Sequence, residues 1–250
     1  MNNAKSLTRI YFPGEIAAHG QCALAPDQAH HVARVLRLVA GDTVTLFDGR
    51  GGEYSAVVAR VGKSAVTLNV GEPRQVDRES PLAVTLAQAV SSGERMDFTV
   101  QKAVELGVKC IQPLASKRTV VRLESERARK RVAHWQAVAI SACEQCGRNL
   151  VPRVLPLTEF TDWLGSEVKR EPPRLGLLLS PGASTTLREL SQPSIAVTLL
   201  AGPEGGLSPA EERAAEAAGY LPVRLGPRIL RTETAALAAL AALQMLWGDY

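Results

Sequence analysis

Two apolar runs, Arg174-Leu-Gly-Leu-Leu-Leu179 and Ser194-Ile-Ala-Val-Thr-Leu-Leu200, constrain this chain more than any other feature in it. Neither alternates apolar with polar residues, so a strand made from either must be covered on both faces, as in a parallel sheet flanked by helices. Each run leads into a loop rich in glycine and proline: Ser180-Pro-Gly182 after the first, Ala201-Gly-Pro-Glu-Gly-Gly206 after the second. The next residues, Ser208-Pro-Ala-Glu-Glu, predict a helix start, with Ser208 as N-cap, Pro209 in the first helical position and acids in the first turn. Leu82–Gln88, Cys110–Leu114 and Tyr220–Leu225 read as further strands. Helices are predicted over Arg95–Leu106, closed by Gly107, and over Ser125–Gln145, while Thr232 or Thr234 is placed to cap a last apolar helix. This order predicts an α/β domain with a mostly parallel sheet.

The first part of the chain has a different grammar. Thr43–Phe47, Tyr54–Arg60 and Ala65–Val70 are short β segments, separated by turn residues at Asp48-Gly49, Gly51-Gly52 and Gly62-Lys63. A short helix is predicted over Asp27–Leu38. Several short strands with tight turns predict a small β-barrel over residues 1–72. The polar segment Glu72–Pro81, with a proline near each end, reads as a linker (73–81), leaving 82–250 for the α/β domain. At 250 residues, two modest domains with cores of their own are affordable.

Some classes are excluded early. The first ten residues lack an apolar signal region, and the most apolar stretch, Ala235–Trp247, is too short to span a bilayer. The expectation is a cytoplasmic protein with no membrane partner. Cys143-Glu-Gln-Cys146 has the C-x-x-C spelling, but no second pair or nearby histidines follow at zinc-finger spacing, so no metal is expected. It falls near the end of a predicted helix, where two cysteines one turn apart are ordinary side chains. Charge is uneven: residues 95–153 carry twelve Lys and Arg against five Asp and Glu. Lys117, Arg118, Arg122, Arg127, Arg129, Lys130 and Arg131 form either a phosphate-facing surface or a solvated helix face.

Chemistry is expected in the loops after the strands, because open parallel sheets bind ligands at their carboxyl edges. The glycines of 201–206 let a ligand approach the backbone closely. No Gly-Lys-Ser/Thr follows, so this is no Walker loop, and the G-x-G-x-x-G spacing is broken by Pro203 and Glu204. The loop Gly226-Pro-Arg-Ile-Leu-Arg-Thr-Glu-Thr234 places Arg228 and Arg231 where an anion or a polarised carbonyl could be gripped. Glu233 is a candidate base or arginine partner.

Together, Leu200-Ala-Gly-Pro-Glu-Gly-Gly-Leu207 and Leu225-Gly-Pro-Arg-Ile-Leu-Arg-Thr-Glu-Thr-Ala235 resemble the cofactor-binding signature of the knotted SPOUT RNA methyltransferases, and most of all the RsmE family. The resemblance extends through Glu94-Arg-Met-Asp97, Gln101–Gly107, Glu144-Gln-Cys-Gly-Arg148, and His31–Arg37 with Gly41-Asp42. It implies a SPOUT α/β trefoil-knot domain, a rare exception to unknotted chains, preceded by a PUA-like β-barrel that binds RNA. It further implies a homodimer using S-adenosylmethionine to methylate N3 of a uridine in 16S ribosomal RNA of the small ribosomal subunit.

By position, the resemblance assigns Leu178, Leu200, Gly202, Pro203, Glu204, Gly205, Gly206, Leu225, Gly226, Ile229, Leu230 and Thr232 to the cofactor. Arg231 would orient or stabilise the uracil, with Glu204 or Glu233 accepting its N3 proton. Arg9, His31, Arg34, Arg37, Arg95, Lys102 and Arg148 would meet RNA. Two alternatives stay open from sequence: a ribose 2′-O methyltransferase of the same fold, and a non-catalytic RNA-binding protein.

Overall fold

The computed structural model describes residues 8–62, 65–119, 125–169 and 171–250. It divides into two units: the chain through Glu79 with Cys143–Val151, and Ser80–Ala142 with Pro152–Tyr250.

In the N-terminal unit, strands β1 (Thr8–Tyr11), β2 (Gln21–Ala23), β3 (Thr43–Phe47), β4 (Glu53–Val61) and β5 (Val66–Arg74) form one sheet in the order β1-β3-β4-β5-β2. β1 and β3 are parallel and the remaining pairs antiparallel. The β3–β4 turn needs left-handed backbone, and Gly49 (φ +79°) and Gly51 (φ +114°) supply it without a Cβ penalty. Val44, Leu46, Val58, Val66 and Leu68 fill the core beneath α1 (Pro26–His30), which runs into a π-helical turn over His31–Val35. The predicted helix thus begins on time and changes pitch halfway.

The predicted linker 73–81 is not a free tether. β5 runs on through Arg74, paired with Glu53, and Arg78 and Glu79 are ion-paired within this unit. A polar, proline-flanked segment looks solvated when its partners lie far along the chain. Here one partner, Arg148, is 69 residues away.

The second unit carries a parallel sheet ordered β12-β10-β11-β6-β7-β8, with β9 paired to β7. Its strands are β6 (Val84–Ala89), β7 (Cys110–Ala115), β8 (Arg153–Val154), β9 (Thr158–Glu159), β10 (Leu175–Leu179), β11 (Val197–Ala201) and β12 (Leu221–Val223). Its helices are α2 (Glu94–Glu105), most of α3 (Ser125–Cys146), α4 (Phe160–Glu167), α5 (Pro209–Ala217) and α6 (Thr232–Trp247). β8, β9 and α4 are too short or too mixed to show a clear period in the sequence.

The apolar runs are buried as their composition requires: Leu177, Leu178, Leu199 and Leu200 are at most 1% exposed. Burying a leucine side chain stabilises by about 1.5–3 kcal/mol, so these strands anchor the unit. α2 lays Met96, Val100, Ala103 and Val104 inward, and α6 does so with Ala236, Ala239, Leu240 and Leu243. Gly107 (φ +79°) ends the turn after α2. Ser208 caps α5 as predicted and completes a reciprocal box with Glu211. Among the described residues, no helix is long and apolar enough to cross a membrane.

The connection β6–α2–β7 runs one way along the sheet and β11–α5–β12 the other, so the winding reverses between β6 and β11. Ligands in open parallel sheets lie outside the carboxyl ends at such a reversal.

Candidate functional site

A cleft opens at the carboxyl ends of β10, β11 and β12. Leu179–Pro181, the glycine loop and Val223–Gly226 form its walls, and Arg228–Leu230, Thr232 and Ala235 close its far side. Counted to its open mouth, and so including space shared with solvent, it holds about 780 Å3.

The glycine loop doubles back on itself. A Cβ on Gly202 would come within 2.9 Å of the Leu207 nitrogen, so only glycine fits there. Gly206 has φ +67°, and its N–H donates to Pro203 O at 2.9 Å. Gly202 O accepts from the Thr232 hydroxyl at 2.5 Å and from Gln88 Nε2 at 3.2 Å. Gln88, fully buried at the end of β6, also donates to Thr232 Oγ1 at 3.0 Å. Gly205 O and Leu207 O both accept from Arg118. Four loop carbonyls are therefore occupied internally. Among the described residues, the N–H groups of Gly205 and Leu207 have no hydrogen-bond partner. A loop with engaged carbonyls and spare N–H groups suits a ligand rich in acceptors, such as a purine ring or a carboxylate.

Thr232 therefore does not cap α6 with its side chain. Arg231 occupies the N-cap position with no side-chain cap, and the Thr232 hydroxyl latches the loop instead. That partner lies 30 residues upstream, beyond any local capping pattern.

Of the residues expected to line the cofactor, Gly202, Pro203, Glu204, Gly206, Leu225, Gly226, Ile229, Leu230 and Thr232 border the cleft. Leu178 and Leu200 are core residues of the strands beneath it, and Gly205 packs against the Arg118 side chain. Ile229 is 85% exposed, so its side chain covers nothing in the isolated chain. Ser180 and Pro181 border the cleft from a loop marked in the sequence, though neither was assigned to the cofactor, and Leu179, Val223 and Ala235 border it without having been assigned a role. They lie within or beside apolar runs, a signal that marks the edge of a site without naming its residues.

The candidate acids are in contrasting states. Glu204 Oε1 accepts from the Ser92 N–H and hydroxyl, both at 2.8 Å, and from Arg95 at 3.1 Å. Burial alone would raise its pKa, but these donors outweigh burial and hold it below the ordinary carboxylate value. Glu233, half-buried in the first turn of α6, keeps Oε2 buried with no hydrogen-bond partner among the described residues. Arg231 is exposed, and Arg228 borders the cleft.

Two of the arginines expected to meet RNA are spent inside the N-terminal unit. Arg9 donates to Glu53 at 2.8 Å and to Asn149 Oδ1 at 2.6 Å, and its guanidinium lies 4.7 Å from the Phe47 ring centroid. Arg148 is 4% exposed and bonded to Glu79. Positive charge was legible in the sequence, but its buried carboxylate partners were not. His31, Arg34 and Arg37 remain exposed at three-residue spacing. In the second unit Arg95 is bound to Glu204 and Lys102 to Glu105. Of the basic middle, Lys117, Arg127, Arg129 and Lys130 are exposed and Arg131 half-buried, Lys130 pairing with Glu126. Arg122 lies outside the described residues.

Residues 24–71 match a family model described as an RNA methyltransferase PUA domain, and residues 78–244 match an RNA methyltransferase domain. The chain is 31% identical to ribosomal RNA small subunit methyltransferase E of Buchnera aphidicola (Acyrthosiphon pisum), covering 98% of this chain and 96% of that one. It is 34% identical to the protein of the same name in Bacillus subtilis, over 91% and 92% of the two chains. A crystal structure of ribosomal RNA small subunit methyltransferase E from Neisseria gonorrhoeae, bound to S-adenosyl methionine, superposes with a TM-score of 0.90. Identity to it is 43%, over 98% of this chain and 99% of that one.

Proposed function

The chain belongs to the ribosomal RNA small subunit methyltransferase E family, and from that premise we propose that it methylates N3 of one uridine in 16S ribosomal RNA with S-adenosylmethionine. The observation that carries this is the glycine loop, its carbonyls engaged by Gln88, Thr232 and Arg118, beside a cleft that ends at the arginine-bearing start of α6. These residues fit the cofactor: apolar walls from Leu179, Val223 and Leu225, with the charged Glu212, Arg224 and Arg228 also bordering the cleft. Bound S-adenosylmethionine supplies an electrophilic methyl group.

The chain's residues supply position and proton handling. N3 of uracil carries an imide proton that must leave as N3 attacks. Glu204 is a poor acceptor, because three donors on one oxygen already favour its ionised form and lower its pKa. Glu233 is the better candidate, since no donor among the described residues already occupies its Oε2. Arg231, exposed at the N-cap, stabilises charge developing on the uracil carbonyl oxygens, aided by the positive end of α6. His31, Arg34 and Arg37 face phosphates from the N-terminal unit, where neutralising charge makes binding salt-dependent. Family membership also supports a homodimer, a trefoil knot in the C-terminal part and, given a ribosomal substrate, action in the cytoplasm.

Incubating the purified protein with labelled S-adenosylmethionine and small ribosomal subunits from cells lacking the activity tests this directly. N3-methyluridine at a single position is the expected product. A ribose 2′-O-methylated product would overturn the target, and no transfer despite RNA binding would leave a non-catalytic binder.

A further inference from the structure

The glycine loop is held from outside its cleft by a residue with no role in the chemistry above. Arg118 stands in the turn after β7, two strands from β11 in the sheet. Its NH1 donates to Gly205 O at 2.8 Å and to Leu207 O at 3.2 Å. The turn is itself anchored: the Lys117 N–H donates to Glu211 Oε1 at 2.7 Å, while Glu211 Oε2 accepts from the Ser208 N–H and hydroxyl. Burial would raise the Glu211 pKa, but these donors keep it below the usual value, so the anchor stays ionised at neutral pH.

The peptide that Arg118 grips is the softest in the loop. Neither Gly205 nor Gly206 carries a Cβ, and Gly206 already sits at φ +67°, so rotating the peptide plane between them meets little steric resistance. Its two polar groups are tied to different partners. The Gly206 N–H is bonded to Pro203 O within the loop, and the Gly205 carbonyl to Arg118 outside it. Remove the guanidinium and only the local bond resists a rotation that would turn the Gly205 carbonyl out of its present direction and disturb the loop beside the spare Gly205 and Leu207 N–H groups.

We propose that Arg118 is a positioning residue for cofactor binding: it pins the Gly205–Gly206 peptide and keeps the loop in the form that accepts the ligand. This rests on the cleft being the S-adenosylmethionine site. If only a fraction of molecules hold the competent loop, apparent affinity falls by that fraction, while turnover at saturating cofactor does not.

Arg118→Met keeps the aliphatic stem of an exposed side chain and removes both bonds. In the full chain, its S-adenosylmethionine Kd should rise about tenfold, the size of a lost charge-assisted hydrogen bond. kcat at saturating cofactor should stay within about twofold and the melting temperature should hardly move, as for an exposed site. Arg118→Lys keeps a charge that reaches a carbonyl and should recover most of the affinity. Hydrogen exchange over residues 203–207, followed without ligand, should quicken about tenfold in the methionine variant if the bond restrains local opening. Wild-type affinity in Arg118→Met overturns the proposal, and so does unchanged exchange. If the wild-type chain itself binds no S-adenosylmethionine, the assignment of the cleft fails, whereas exchange still reports whether Arg118 restrains the loop.

Discussion

The two units use charge in opposite ways. In the N-terminal unit Arg9, Arg78 and Glu53 meet in one cluster and Arg148 pairs with Glu79, with Glu53, Arg9, Arg148 and Glu79 side chains at most 10% exposed. These charges join segments far apart in sequence and leave little for a ligand. In the second unit the ions grip backbone: Arg118 holds two carbonyls, Glu211 holds two N–H groups and Glu204 holds the Ser92 N–H. Buried ion pairs are poor sources of net stability but costly to break singly. Ion-to-backbone bonds fix the shape of a loop at small cost to the fold. The first unit's charges should therefore register in stability, and the second unit's in binding and turnover.

The largest expected effect tests the first half of that contrast. Glu53→Ala leaves Arg9 and Arg78 without their shared carboxylate and should cost about 3–5 kcal/mol in urea unfolding, as breaking one side of a buried pair does. A loss below about 1 kcal/mol would mean that the cluster behaves like a surface pair. The sign with pH is fixed as well. Burial would raise the Glu53 pKa, but hydrogen bonds from Arg9, Arg78 and Asn149 bring it below its ordinary value of 4.5. The stabilisation is therefore full above pH 4.5 and fades as pH falls through the folded-state value, so wild type and Glu53→Gln should converge in acid.

Next come the second unit's residues, which should leave unfolding nearly untouched. Arg231→Ala should lower kcat about 100-fold, the loss typical of one donor to a developing oxyanion, with S-adenosylmethionine affinity unchanged. Unaltered turnover would remove Arg231 from the chemistry. Thr232→Val keeps the shape and deletes the hydroxyl that reaches Gly202 O, leaving Gln88 as that carbonyl's remaining partner. A neutral hydrogen bond of about 1 kcal/mol predicts roughly fivefold weaker cofactor binding. Calorimetric titration distinguishes this from the change in turnover expected of Arg231.

What the sequence disclosed follows the range of the forces involved. The buried strands, the Ser208 cap and the glycine-rich turn of 201–206 each depend on residues within a few positions, and all were legible. The resemblance located most of the cleft as well, from Gly202 to Thr232. Partnerships across long separations were hidden: Arg9 with Asn149 at 140 residues, Gln88 with Gly202 at 114, Arg118 with Gly205 at 87. In each case the residue type announces a capacity to bond and says nothing of where its partner will stand. Arg9 and Arg148 were accordingly assigned to RNA, and Thr232 or Thr234 to a local cap. The segment Cys143–Val151 is the largest such surprise, since it continues a helix in sequence yet joins the N-terminal unit.

That segment gives the smallest effect and the sharpest check on what holds it. Glu144 accepts the Tyr11 N–H at 3.0 Å, and Arg148 is bound to Glu79. The two cysteines, by contrast, are free, and Cys143 only reaches Leu150 O at 3.7 Å. Burial pushes the Cys143 thiol up to about 12, so at pH 8 it is overwhelmingly protonated and poorly nucleophilic. Native protein treated with iodoacetamide at that pH should stay unmodified at Cys143, and Cys146→Ser should shift stability by less than about 0.5 kcal/mol. Rapid alkylation of Cys143 would show that ion pairs and backbone bonds do not keep this segment closed, and loss of the fold in Cys146→Ser would show that a thiol helps to hold it.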